Sequence, residues 1–159
     1  MSIKGAFGIR IYNIDKIVYN NTDSYWEELG RNIASDVIDY ISSDDGMKYL
    51  KTKAKELSVV EDHNVYNLFE KGSFSSFIEN GQFVDDRNFL YDSLFCEHAY
   101  IVNLDTEMFE IYKGLQLNEP KKSRYADKKP VDNGIYWGVE LVNEIPLKCL
   151  KEFMELDEL

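Results

Sequence analysis

A thiol and an imidazole stand two residues apart in the segment Cys96-Glu97-His98. Side chains with this spacing project to the same face of an extended strand, so Cys96 and His98 could meet as a nucleophile and its general base. The sequence shows no third group that would orient the imidazole. The alternative is that Cys96 is simply a packed thiol in a strand, and a hydrolase that uses this pair is the weaker hypothesis.

A second route to catalysis begins at the N-terminus. Removal of Met1 would leave Ser2 as a nucleophile whose own α-amine acts as the base. The chain contains no Gly-rich phosphate loop, no Gly-x-Ser-x-Gly elbow and no His-Glu-x-x-His motif. The few His and Cys residues lack the spacing of paired metal ligands. We therefore expect a protein with no catalytic residues, no cofactor and no metal.

Carboxylates of the predicted helices, combined with exposed aromatic rings, could form a binding face. The net charge is −11, with 29 Asp and Glu against 18 Lys and Arg. This field repels phosphate backbones and favours a basic protein, so we expect no direct nucleic-acid binding. The candidate binding residues are the following: Asp23, Tyr25, Glu27, Glu28, Asp36 and Asp39.

Cations supply an alternative ligand site. Local positive charge lies in residues 117–133, which we interpret as a mobile basic loop because an unstructured connection of that length is mobile or functional. Phosphates of a small signalling nucleotide could bind there, beside Tyr25 or Trp137. The residues of this alternative site are Arg10, Lys113, Lys121, Lys122 and Arg124, with Lys128 and Lys129 adding charge to the loop.

Length and composition predict one globular domain over residues 1–159. The chain is 44% hydrophobic and 14% aromatic, which is enough for one core. No window has the roughly 18 consecutive apolar residues of a membrane span, and the N-terminus lacks a signal peptide's apolar run. We expect a cytoplasmic protein that binds no membrane, contains reduced Cys96 and Cys149, and could form a homodimer through its aromatic surface.

Elements in the first half follow from periodicity. Alternation over residues 7–11 and the apolar run 17–19 predict a hairpin with a turn at residues 13–16. Ser24 and Glu27 form a capping-box pattern, which predicts a helix over residues 24–41 with Ser24 as its N-cap. Further helices are expected along residues 47–57, around residues 65–69, and over residues 74–78 with an end at Asn80-Gly81.

The second half returns to strand patterns. Residues 100–111 predict another hairpin with its turn at residues 105–107, and residues 135–142 predict one further strand. Pro146 is expected to open a final helix. The fold class is therefore α+β, with a mostly antiparallel sheet, built from the N-terminal hairpin, the later hairpin and one further strand, and with helices packed on one face.

Two stretches resemble an uncharacterised family of small phage and bacterial proteins. One is a Tyr-Asn-x-x-Asp-Ser-Tyr turn, which spans residues 19–25 here, and the other is a Phe-Cys-Glu-x-Ala-Tyr…Asn-Leu-Asp-Thr hairpin, which spans residues 95–106. The resemblance covers about the first 30 residues and residues 93–114. Here residues 2–5 depart from the family's opening segment, and Trp26 replaces a usual proline.

The resemblance implies phage or mobile-element cargo, among which short acidic proteins often inhibit host defence. Our leading hypothesis is a non-enzymatic interaction protein that binds a basic host protein through an acidic surface. The target class would be a nucleic-acid-binding, CRISPR-type effector. Sequestration of a signalling nucleotide is the alternative, and a hydrolase that uses Cys96 and His98, or Ser2, ranks below it.

Overall fold

The computed structural model describes residues 3–61, 73–126, 130 and 134–157. Its centre is a five-stranded sheet in the order β2-β1-β5-β6-β7. A separate pair of two-residue strands, β3 and β4, lies outside this sheet. The strands are β1 (Gly5–Ile11), β2 (Ile14–Asn20), β3 (Ser58–Val59), β4 (Gln82–Phe83), β5 (His98–Asn103), β6 (Met108–Lys113) and β7 (Glu140–Pro146).

Two antiparallel hairpins join side by side through one parallel pairing. The first is β1–β2, the second is β5–β6, and β1 pairs in parallel with β5 from Gly5↔His98 to Arg10↔Asn103. β7 completes the sheet by antiparallel pairing with β6. Three of the four pairings are thus antiparallel, as the sequence predicts, but the first turn lies at Tyr12 and Asn13 rather than at residues 13–16.

The main helices are α1 (Arg31–Ile41), α2 (Gly46–Glu56), α3 (Phe74–Asn80) and α4 (Leu150–Asp157). A π-helical turn, Trp26–Gly30, leads directly into α1. The predicted start at residue 24 is therefore slightly early. Ser24 does not cap the helix; it is buried, and its Oγ accepts a hydrogen bond from Asn20 Nδ2 at 2.8 Å. Gly81 ends α3 in a left-handed conformation (φ 80°), as predicted.

The sheet buries apolar side chains on both faces. On one face Phe7, Val102 and Phe109 pack against the apolar sides of all four helices. On the other face Ile101, Tyr112 and Tyr125 form a smaller cluster with Val139 and with Leu90 of the 3₁₀ turn Arg87–Tyr91. With 36% helix and 27% strand, the fold is α+β with its helices on one face of the sheet.

The C-terminal third follows the predicted order with shifted boundaries. β7 begins at Glu140 because the preceding residues pair elsewhere: Trp137 N donates to Gln116 O at 2.9 Å, and Val139 N donates to Leu90 O at 3.0 Å. Pro146 ends β7 and leads through a short 3₁₀ turn into α4. Among the described residues, no helix is both long enough and apolar enough to cross a membrane. The helix predicted around residues 65–69 lies outside the described residues.

Candidate acidic interface

Carboxylates surround Tyr25 where β2 leads into the first helical turn. Asp23 adopts a left-handed conformation (φ 45°), which turns the chain, and Glu27 and Glu28 are exposed in the first turn after Tyr25. Partial desolvation, together with the charges of Asp23, Glu28 and Glu27, raises the pKa of Tyr25. Four of the predicted binding residues therefore lie together on one surface.

The outer side of α1 extends this surface. Glu28, Asn32, Ser35 and Asp39 are all exposed, and their spacing places them on one side of the helix. Glu28 and Asp39 lie three turns apart, about 16 Å along the axis. Asp36 is half-buried instead, and its Oδ2 accepts a hydrogen bond from Ser75 N at 3.0 Å. Asp36 is thereby engaged in joining α1 to α3.

α4 adds carboxylates that the sequence reasoning missed. It packs beside α1, and its Glu152 and Glu155 are exposed. The junction is fixed by Asp157 Oδ2, which accepts hydrogen bonds from Trp26 Nε1 and from Arg31 Nη1, both at 2.7 Å. The apolar period of α4 already indicates that these glutamates face outward, but not that α4 lies beside α1. We call the exposed carboxylates Asp23, Glu27, Glu28, Asp39, Glu152 and Glu155 the acidic face.

Three cations of the alternative ligand site are paired with carboxylates. Arg10 pairs with Asp15 at 2.8 Å, and Arg124 pairs with Glu110 at 2.7 Å. Lys122 lies 3.3 Å from Glu144. Lys113 at the end of β6 and Lys121 are exposed, whereas Lys128 and Lys129 lie outside the described residues.

The Arg124–Glu110 pair belongs to a polar network on the sheet face opposite the helices. Glu110 also accepts hydrogen bonds from Asn103 Nδ2 at 3.2 Å and from Tyr112 OH at 3.1 Å. Tyr125 OH donates to Asp15 Oδ2 at 2.9 Å. These contacts, and a cation–π contact between Arg124 and the Tyr125 ring, join the basic segment to the sheet. An open cavity of about 650 Å³ lies beside the network.

The structure gives Cys96 and His98 different surroundings. Cys96 is fully buried in the smaller core cluster, and its Sγ donates to the main-chain oxygen of His98 at 3.6 Å. Alternation along β5 places the His98 side chain on the face of Tyr100, towards the helices. Burial, with the nearby charges of Asp92 and Glu97, raises the pKa of the Cys96 thiol, whereas nucleophilic thiols have a lowered pKa.

Ser2, the nucleophile of the second catalytic hypothesis, lies outside the described residues, as does His63, the second histidine of the chain. Cys96 and Cys149 are both free thiols. In the part of the chain that the structure describes, no three His, Cys, Asp or Glu side chains converge in a way that could bind a metal ion.

The acidic face thus gathers most of the predicted binding residues on one side of the helical layer. Comparison of the chain with protein-family models, with curated proteins and with solved structures finds no significant match.

Proposed function

We propose that this chain is a non-enzymatic inhibitor, carried by a phage or another mobile element, that binds a basic nucleic-acid-binding effector of host defence. The supporting observation is the acidic face, where exposed carboxylates lie on three neighbouring elements, the first helical turn, α1 and α4. A groove built for DNA or RNA is lined with Lys and Arg, and carboxylates at phosphate-like positions would occupy it.

The distribution of cations supports the same choice of surface. The lysines of α2 lie on another part of the helical layer and are partly engaged: Lys51 pairs with Glu107 at 3.2 Å, and Lys53 pairs with Glu79 at 3.6 Å. Around the acidic face, Arg31 pairs with Asp157, Glu27, Glu28 and Asp39 are exposed, and the one further cation on α4 is the exposed Lys151. Charge separation of this kind orients a basic partner during encounter.

Competition with nucleic acid tests the proposal directly. Purified defence effectors, including CRISPR-type complexes, are incubated with labelled DNA or RNA substrate and increasing amounts of this protein at about 50 mM salt. We expect displacement of the nucleic acid from one effector, with an affinity that falls steeply as salt increases. If no effector releases its substrate at low salt, the proposal is wrong.

Charge-neutralised variants test whether the acidic face is the surface that binds the effector. The triple variant E27Q/E28Q/D39N should weaken effector binding at least tenfold. The matched control E56Q/E61Q/E119Q makes the same change in net charge at exposed positions outside the acidic face and should bind within about threefold of wild type. Equal losses in both variants would mean that only net charge matters and would contradict the assignment to the acidic face.

A further inference from the structure

An open cavity of about 320 Å³ lies at the outer edge of β2. Its apolar walls are three aromatic side chains, and two oppositely charged groups line it as well. Tyr19 meets Phe89 edge to face, with ring centroids 5.0 Å apart. Phe95 is about half exposed. The cavity has the size and the mixture of aromatic and polar groups that are typical of a small-ligand site.

Asp86 is held rigidly at this edge. Its Oδ2 accepts a hydrogen bond from Tyr19 N at 3.0 Å, and its own main-chain N donates to Ile17 O at 2.9 Å. Asp86 therefore provides hydrogen-bond partners for two main-chain groups at the outer edge of β2, one through its side chain and one through its main chain. Its second oxygen, Oδ1, accepts no hydrogen bond from a described residue and is available to a ligand donor.

Lys4 supplies the opposite charge. Its Nζ lies 5.7 Å from the centroid of the Phe95 ring, and it forms no salt bridge with a described residue. A cationic ligand would be repelled by this ammonium group. A planar ring that carries a hydrogen-bond acceptor for Lys4 next to a donor for Asp86 would satisfy both charges and would also cover the exposed face of Phe95.

We propose that this cavity binds a guanine base, whose ring lies against Phe95 and Phe89, whose N1–H donates to Asp86 and whose O6 accepts from Lys4. Guanine places these two groups side by side on one ring edge, whereas adenine has an amino donor where guanine has its O6 acceptor. The net charge of −11 opposes added phosphates, so the nucleoside satisfies the site without a phosphate group. This inference does not depend on the acidic face.

Calorimetric titration of the full chain with guanosine and with adenosine tests the site. We expect guanosine to bind with a Kd below about 1 mM and to raise the melting temperature, because a ligand that binds the native state stabilises it. Adenosine should bind at least tenfold more weakly. Absence of guanosine binding at millimolar concentration, or equal affinity for the two nucleosides, would overturn the proposal.

Two variants locate the ligand. In Asp86→Asn the amide oxygen can still accept from Tyr19 N, while the amide group presents a donor towards guanine, so guanosine affinity should fall at least tenfold. Asp85→Asn is the matched control, since it removes the same charge from a carboxylate whose Oδ2 lies 3.1 Å from Arg87 Nε. Phe95→Leu removes an exposed ring and should also weaken binding. Wild-type affinity in Asp86→Asn and Phe95→Leu would place guanosine elsewhere and overturn the site.

Discussion

Glu110 is the buried carboxylate at the centre of the polar network on the sheet face opposite the helices. Its side chain is only 4% exposed, and both of its oxygens accept hydrogen bonds from Arg124, at 2.7 and 2.8 Å. A bidentate pair of this kind balances a charge that would otherwise be costly to bury. The pair therefore ties the basic segment to β6 more firmly than the exposed Lys122–Glu144 pair does.

Arg124→Met should lower the free energy of unfolding by about 3 kcal/mol, because it leaves Glu110 buried without its counter-charge. Chemical denaturation at pH 7 measures this change. The double variant Glu110→Gln/Arg124→Met should recover much of the loss, since it removes both charges. Lys122→Met, which breaks the exposed pair, should cost less than about 1 kcal/mol. An equal effect of Arg124→Met and Lys122→Met would contradict the special role of the buried pair.

His98 makes stability depend on pH. Burial lowers its pKa from the ordinary value of 6.5, although the charge of Glu97 partly opposes this effect. The unfolded chain therefore binds the proton first as the pH falls below about 6.5, and protonation favours unfolding. We expect stability to decline between pH 7 and pH 5.5. Denaturation curves of wild type and His98→Gln should diverge in that interval, and parallel curves would show that His98 does not contribute.

One carboxylate, that of Asp105, joins the turns of the two hairpins. Tyr12 and Asn13 both have positive φ, 52° and 60°, which matches the tight turn that antiparallel strands favour. Asp105, from the turn between β5 and β6, accepts from Tyr12 N at 2.7 Å through Oδ1 and from Asn13 N at 2.8 Å through Oδ2. This bridge reinforces the parallel β1–β5 pairing at its C-terminal end.

Asp105→Ala should destabilise the protein by about 1–2 kcal/mol, because both turn amides lose a charged acceptor. Hydrogen exchange should show faster opening at Tyr12 and Asn13, while the amides in the middle of β5 stay protected. Asp105→Asn retains one acceptor and should lie between Asp105→Ala and wild type. Unchanged exchange at both turn amides in Asp105→Ala would contradict the bridge.

Local patterns predict the individual elements well. Both hairpins, α1, α2 and the end of α3 at Gly81 follow from alternation, helical spacing and one turn glycine. The capping prediction at Ser24 is wrong, because Asn20 provides a buried partner that competes for the hydroxyl. The parallel β1–β5 pairing is not predictable in this way, since nothing local marks which hairpin edges will meet.

The candidate sites are less predictable than the elements. Glu27, Glu28 and Asp39 could be chosen because charged residues on the polar side of an amphipathic helix face solvent. The hydrogen bond from Ser75 N to Asp36 could not be predicted, because it forms only where α3 packs against α1. The cavity with Lys4 and Asp86 draws its residues from four separate segments, so no spacing in the sequence indicates it.

The net charge of −11 destabilises the folded chain. Like charges on the compact chain repel one another, and the repulsion is weaker in the expanded unfolded state. Salt screens exposed charges over about 10 Å at 0.1 M. Added salt should therefore stabilise the native fold. The same salt should weaken the complex with a basic partner.

The melting temperature should rise when sodium chloride is increased from about 10 to 300 mM, by an amount of the order of a few degrees. Differential scanning calorimetry measures the change. The variant E27Q/E28Q/D39N should melt higher than wild type at low salt, and the gap should shrink as salt is added. A melting temperature that falls with salt would show that attractive ion pairs outweigh the net repulsion.

The parallel β1–β5 pairing also has a consequence for synthesis on the ribosome. β1 is complete at Ile11, but its partner begins only at His98. At about 5–20 residues per second, roughly 4 to 17 s pass between the translation of these two residues. During that interval the nascent β1–β2 hairpin has an unpaired apolar edge that other polypeptides can bind. Chaperones that cover emerging chains would therefore matter more for the yield of this protein than its size suggests.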